Sequence, residues 1–216
     1  LCVNSNAGTL NETVLRVDGE PFFPVGTWGG APEHCASMGM NTILMGVPKD
    51  AEGIESFRGQ MHRCAELGIQ VVPFLGFGGA NPDAWTPEEV RRAAVLANEP
   101  NLLAWYLGDD VYETGLVGVR ETADLLAELT PDIPKTADYI GDFSNELARD
   151  VYGNHLDINA SYSYPVPGDD PANDPSLLNY FAFFTLLVAM GEPRWTTLQC
   201  FQWNRHSDRY NLGHGD

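Results

Sequence analysis

Apolar residues along the chain gather into short runs, separated by polar loops and by stretches in which they recur every three or four positions. The runs are Phe23–Trp28, Asn41–Val47, Gln70–Phe77, Leu102–Asp109, Lys135–Ile140, Leu156–Tyr164 and Trp195–Trp203. Their length and their β-branched and aromatic content predict strands. Helical periodicity falls between them, over residues 32–39, 53–67, 86–98, 114–129, 144–151 and 175–190. Ahead of the first run, alternating apolar positions flank Asp18-Gly19, which predicts a small hairpin over Thr13–Pro24. Boundary residues agree with this reading. Thr86-Pro87-Glu88-Glu89 supplies an N-cap, a proline for the first helical position and acidic residues for the positive end of the dipole. Gly39 and Gly68 stand where helices end in glycine, each just before a strand.

Strict alternation of strand and helix, with no hairpin after the first, argues for a parallel sheet of the α/β class. A doubly wound dinucleotide fold would need a glycine fingerprint after its first strand. Gly26-Thr27-Trp28-Gly29-Gly30 does not match it, and a Trp there would crowd a pyrophosphate. Aromatic, amide and carboxylate residues instead collect at strand ends: Trp28, Asp109, Asp110, Tyr162, Tyr164, Gln202 and Trp203. Parallel strands carrying chemistry at their C-terminal ends describe a (β/α)8 TIM barrel, here incomplete, with seven strand-helix units behind an N-terminal β-hairpin.

Composition narrows the partners. The 216 residues are 44% hydrophobic, and 12 Lys and Arg against 30 Asp and Glu give a formal net charge of −18. A chain this acidic is unsuited to nucleic acid or anionic membrane surfaces. The longest apolar stretch, Tyr180–Met190, is 11 residues, short of the roughly 18 a membrane span needs. Four scattered Cys and five scattered His show no ligand spacing, so no metal or other cofactor is expected. No charged segment followed by an apolar one marks a signal peptide; a processed secreted or periplasmic protein and a clipped reading frame would both read this way. Oligomeric state is not legible.

The fourth strand carries a family resemblance. Glu99-Pro100-Asn101-Leu102-Leu103-Ala104-Trp105-Tyr106-Leu107-Gly108-Asp109-Asp110 resembles the "HPALLAWYLGDEP" stretch of (β/α)8 glycoside hydrolases related to beta-galactosidases. Five further segments agree in order. Val17–Gly26 is similar to their first strand, Met38–Thr42 to "GFNTV", and Ala65–Ile69 to the approach to the third strand. Ser163–Pro167 is similar to a "YPV" after the sixth strand, and Glu192–Phe201 to a "W-x-x-L-Q-x-F" seventh strand. The resemblance implies hydrolysis of O-glycosidic bonds of a β-linked carbohydrate by carboxylate acid/base chemistry. It puts the acid/base at Asp110, where the family has Glu, one methylene longer, and it makes Asp109 a neighbour that tunes Asp110 or holds a substrate hydroxyl.

Asn98-Glu99-Pro100 spells a motif that marks the acid in related hydrolases, but here it precedes its strand, so Glu99 is expected at the stability face of the barrel. The family's nucleophile position reads Gln199-Cys200-Phe201-Gln202-Trp203, and an amide cannot attack an anomeric carbon. Asp138, Asp142 and an eighth strand remain open as sources of the second carboxylate. Sugar C–H faces pack on aromatic rings and amides bind hydroxyls in both directions. Trp28, Trp105, Tyr106, Tyr139, Tyr162, Tyr164, Gln199, Gln202 and Trp203 are therefore the candidate carbohydrate-binding residues, with Trp105 and Tyr106 unable to face the same way. Asp at a Glu position also suits an alternative, a non-catalytic carbohydrate-binding barrel. The length allows one domain spanning 1–216, about one strand-helix unit short of eight, so the chain is expected to be a fragment.

Overall fold

The computed structural model describes residues 9–11, 14–77, 85–138, 145–162, 194–197, 202–203 and 210–211. The chain divides into two compact units, Leu1–Asn159 and Ala160–Asp216.

The first unit opens with three short antiparallel strands, β1 (Thr9–Asn11), β2 (Val14–Val17) and β3 (Glu20–Pro21). The turn between β2 and β3 holds Asp18 at φ 54° and Gly19 at φ 79°, the pair of left-handed residues a two-residue hairpin needs. Five parallel strands follow in sequence order: β4 (Gly26–Trp28), β5 (Thr42–Gly46), β6 (Gln70–Phe77), β7 (Trp105–Gly108) and β8 (Lys135–Asp138). They are connected through α1 (Pro32–Ser37), α2 (Ala51–Glu66), α3 (Pro87–Ala93) with its 3₁₀ extension Ala94–Asn98, and α4 (Leu116–Leu129). After β8 come α5 (Glu146–Asp150), a π-helical turn over Val151–His155 and β9 (Ile158–Tyr162), which starts beside β8 through Asp157 N–H to Lys135 O at 2.9 Å. In the sheet order, β10 (Arg194–Thr197) is the neighbour of β9. The fold is thus an incomplete (β/α)8 barrel, whose first unit contributes the five parallel strands β4–β8.

Local signals do what the sequence asks of them. Thr86 accepts from Glu89 N–H while the Glu89 carboxylate accepts from Thr86 N–H, a complete capping box. α1 and α2 end alike. Met40 N–H reaches Cys35 O and Gly39 N–H reaches Ala36 O; Ile69 N–H reaches Cys64 O and Gly68 N–H reaches Ala65 O. Both pairs are Schellman bonds closed by a left-handed glycine, and each delivers the chain directly into the next strand.

Alternation along β7 and β8 sorts the strand side chains. Trp105, Leu107 and Ala137 join the hydrophobic core that the helices cover, together with Ile43, Val71, Phe57, Met61, Leu116 and Leu126. Tyr106, Thr136 and Asp138 occupy the opposite face, still buried. Cys35 and Cys64 are free thiols inside the core, and burial pushes the Cys64 thiol up to about 11. Glu99 is 3% exposed at the N-terminal end of β7, where Arg58 Nε (2.7 Å) and His62 Nε2 (2.6 Å) of α2 hold it, so it serves the fold as the sequence suggested.

One expectation needs correction. The two described parts of Trp195–Trp203 belong to different sheets: β10 (Arg194–Thr197) neighbours β9, and β11 (Gln202–Trp203) pairs antiparallel with β12 (Tyr210–Asn211). Gln202 and Trp203 therefore lie outside the parallel sheet, and the first hairpin has a second antiparallel counterpart. Asn204, Ser207 and Asp208 between β11 and β12 are turn-forming residues that the strand reading passed over. The helix expected over 175–190 lies outside the described residues.

Candidate active site

Four of the five parallel strands of the first unit bring a side chain to one cluster. β4 ends on Trp28, β6 carries Phe74, β7 carries Tyr106, and β8 ends on Asp138. The register sets Trp28 beside Leu44, Gly46 beside Phe74, and Phe74 beside Tyr106. The three rings meet edge to face, with centroids 5.4 Å apart for Trp28–Phe74, 5.4 Å for Trp28–Tyr106 and 5.5 Å for Phe74–Tyr106. Trp28 stays 44% exposed. It lines an open depression of about 490 Å³ together with Gly29, Gly30, Gly46, Gln60 and Phe74. Aromatic edges and polar groups share this wall nearly evenly, and a sugar ring, with apolar faces and a polar rim, packs on surfaces of that kind.

Tyr106 joins this aromatic cluster to a carboxylate cluster. Its hydroxyl donates to Asp109 Oδ1 at 3.3 Å. Asp109 and Asp110 follow β7 directly, and the loop is fixed to the next strand by Val111 N–H to Asp138 O at 3.1 Å. Asp138 is 1% exposed. Neither of its oxygens has a hydrogen-bond partner of good geometry among the described residues, although the Tyr106 hydroxyl lies close enough to favour its ionised form. Burial pushes the Asp138 carboxyl up to about 7, and the charges of Asp109 and Asp110 add to that shift. Burial and the adjacent Asp110 raise Asp109 to about 6, against the Tyr106 hydroxyl, which pulls it down. Burial also raises Asp110. Desolvation, with Asp138 and Asp109 nearby, lifts the Tyr106 phenol well above its usual range, so it stays a proton donor. The site therefore holds carboxyls that exchange protons near neutral pH, which acid/base chemistry requires.

Asp110 has a second peculiarity. Its backbone is left-handed, with φ 51°, the one described non-glycine residue besides Asp18 with a positive φ. Asp and Asn tolerate that conformation better than other side chains, and it costs strain that the surrounding structure must hold.

Of the residues singled out in the sequence, Asp109, Asp110, Tyr106 and Trp28 come together on this face. Trp105 does not. It is fully buried under α4, and its indole N–H donates to Thr130 Oγ1 at 3.1 Å, so Tyr106 is the member of that pair that reaches the carboxylates. Tyr162 lies on β9, and Gln202 and Trp203 on β11. Tyr139, Asp142, Tyr164 and Gln199 lie outside the described residues. Two participants were undervalued. Phe74 sits inside the apolar run Gln70–Phe77, where nothing distinguishes it from core; only the register sets it beside Gly46 and Tyr106. Asp138 had a clearer signal: an acidic residue closing an otherwise uncharged Thr-Ala strand end.

No protein-family model matches the chain, and no curated protein does. Solved structures do match. One is a glycoside hydrolase, with TM-score 0.69 and 14% identity over 94% of this chain and 59% of that one. Another is the glycoside hydrolase family 5 mannosidase of Rhizomucor miehei, with TM-score 0.68 and 11% identity over 89% of this chain and 72% of that one. A third is the family 2 beta-galacturonidase of Eisenbergiella tayi, solved with galacturonate, with TM-score 0.62 and 16% identity over 87% of this chain and 37% of that one. The chain spans less than two thirds of the length of the first and third. What these structures share with it is the barrel, and the chain has a glycoside hydrolase-like fold.

Proposed function

We propose that the chain carries the catalytic face of a glycoside hydrolase that cleaves a β-linked carbohydrate, with Asp110 as acid/base and Asp109 as the neighbour that tunes it. Asp138 is the described carboxyl best situated to be the second member of the pair. The observation that carries this reading is the meeting, at the C-terminal ends of adjacent strands, of three carboxyls with raised pKa and an aromatic wall. A protonated carboxyl donates to the glycosidic oxygen as the bond breaks, and an ionised one supports attack at the anomeric carbon. The Trp105–Asp110 stretch supports a relation to beta-galactosidase-type enzymes, and Trp28 supports sugar packing. Gln199, Gln202, Trp203, Tyr139, Tyr162 and Tyr164 remain candidates for further contacts.

A second reading, a barrel that binds carbohydrate without cleaving it, is favoured by one observation: Asp110 is a methylene shorter than the Glu of the resembling motif. Misplacement of a reacting group by about an ångström costs on the order of a hundredfold in rate. Hydrolysis of a panel of aryl β-glycosides by the parent and by Asp110→Ala separates the two. The expected outcome is measurable turnover that falls by about two to four orders of magnitude in the variant. Equal rates would remove Asp110 from the role of acid, and binding of sugar without turnover by the parent would select the second reading.

A further inference from the structure

We propose that the depression beside Trp28 holds a second sugar unit, one place along from the unit at the carboxyls, so that the substrate is at least a disaccharide. This rests on the reading of the face as a carbohydrate cleft and adds the length of what the cleft takes.

The depression and the carboxyls are two places joined by one ring. Trp28, Gly29, Gly30, Gly46, Gln60 and Phe74 line the depression, and Asp109, Asp110 and Asp138 are not part of its wall. Tyr106 lies between. Its ring packs edge to face on Trp28, with centroids 5.4 Å apart, and its hydroxyl donates to Asp109 at 3.3 Å. A sugar resting on Trp28 therefore stands off from the carboxyls by the width of a phenol. The glycosidic bond within their reach belongs to the next unit. Small-molecule pockets span about 300–1,000 Å³, and the depression, at about 490 Å³, has room for such a guest.

Gly46 is the second support. It ends β5 without a positive φ, and a Cβ built there would meet nothing within 4 Å. Neither backbone conformation nor packing calls for glycine at this position. Glycine in a strand often marks a place that a ligand approaches closely. Gly46 pairs with Phe74, and paired residues share a face of the sheet, so a side chain at 46 would enter the depression beside the Phe74 ring. The rest of the wall suits a neutral sugar. Trp28 is half exposed yet braced by Phe74 and Tyr106, which makes it a rigid platform. The Gln60 amide of α2 offers both a donor and an acceptor to hydroxyls. No charged side chain lines the depression among the described residues.

Calorimetric titration of the full chain tests this with phenyl 1-thio-β-D-glycosides of the gluco, galacto and manno series. In each series the monosaccharide is compared with its 3- and 4-linked disaccharides. The internal linkage of each disaccharide is also through sulfur, which resists hydrolysis, so binding is read apart from turnover. In at least one series a disaccharide is expected to bind about tenfold more tightly than the monosaccharide. Gly46→Leu, which fills the depression, should abolish that advantage, with thermal unfolding showing that the variant folds. Trp28→Ala carries the same expectation and decides the matter if leucine unfolds the chain. Glu128→Gln, exposed on α4, should leave the advantage unchanged. Monosaccharides binding as tightly as disaccharides in every series would overturn the proposal and leave the carbohydrate cleft standing. An advantage that survives Gly46→Leu in the folded variant, or is lost equally in Glu128→Gln, would overturn it as well. Binding of none of the probes would overturn it together with the cleft. A preference for disaccharides without hydrolysis of the aryl glycosides would support it and overturn only the proposed reaction.

Discussion

Asp138 closes a strand whose four residues are all buried, and its charge is met there by no cation. Its carboxyl titrates at about 7 in the folded chain against an ordinary value of 3.8. Between those two values the folded chain keeps a proton that the unfolded chain has given up. Folding therefore takes up a proton, and stability falls as pH rises from about 4 to about 7, then levels. Asp138→Asn abolishes this titration while keeping the shape. The variant is expected to exceed the parent in stability at about pH 8, by a margin on the order of a few kcal/mol, and to differ little at about pH 4. Urea unfolding at the two pH values checks it, and a margin that grew toward acid would contradict the assignment of Asp138 as a carboxyl held neutral by burial. Asp109, raised to about 6 beside it, contributes in the same sense. A residue that costs stability at neutral pH and resides on the proposed catalytic face is what a stability–function trade-off leads one to expect.

The elements were legible where short-range chemistry fixes them. The Asp18-Gly19 turn, the Thr86 capping box and the Gly39 and Gly68 helix ends each follow from a side chain acting within its own turn. What escaped the sequence depends on partners far along the chain. Phe74 becomes part of a site only because register sets it against Tyr106 and Gly46, and the left-handed backbone at Asp110 has no signature in composition. The misjudged seventh strand failed for a related reason, since an apolar run of nine residues does not reveal where its pairing partner changes. Gly26 shows how tightly the elements fit. A Cβ built there would lie 2.8 Å from the Thr42 carbonyl carbon across the β4–β5 pairing, and backbone cannot swing aside as a side chain can. Gly26→Ala is expected to lower the Tm and to destabilise the chain by about 1–3 kcal/mol, measured by thermal and urea unfolding. Gly59→Ala, in open space on α2, should be neutral or slightly stabilising.

At the scale of the whole molecule, 30 acidic residues against 12 basic ones make charge a property of the fold and not only of the site. Among the described residues, some ion pairs hold particular joints: Arg58 and His62 fasten α2 to the buried Glu99 before β7, and Lys135 fastens β8 to Asp157. The excess of carboxylates repels itself, and salt screens that repulsion. The Tm is accordingly expected to rise between about 0.01 M and about 0.5 M NaCl, in differential scanning calorimetry at neutral pH. A fall over that range would mean that the screened ion pairs outweigh the relieved repulsion.

The left-handed turn at Asp110 has a consequence for how such a face can change over generations. Every Asp codon becomes a Glu codon by one substitution at its third base, so the longer carboxylate is always a single mutational step away. Reach toward a substrate would favour that step. The backbone at φ 51° opposes it, because Asp accepts this conformation more readily than Glu. What separates this chain from the resembling Glu is thus a barrier of backbone geometry and not of genetic distance, and crossing it requires the loop to be rebuilt along with the side chain.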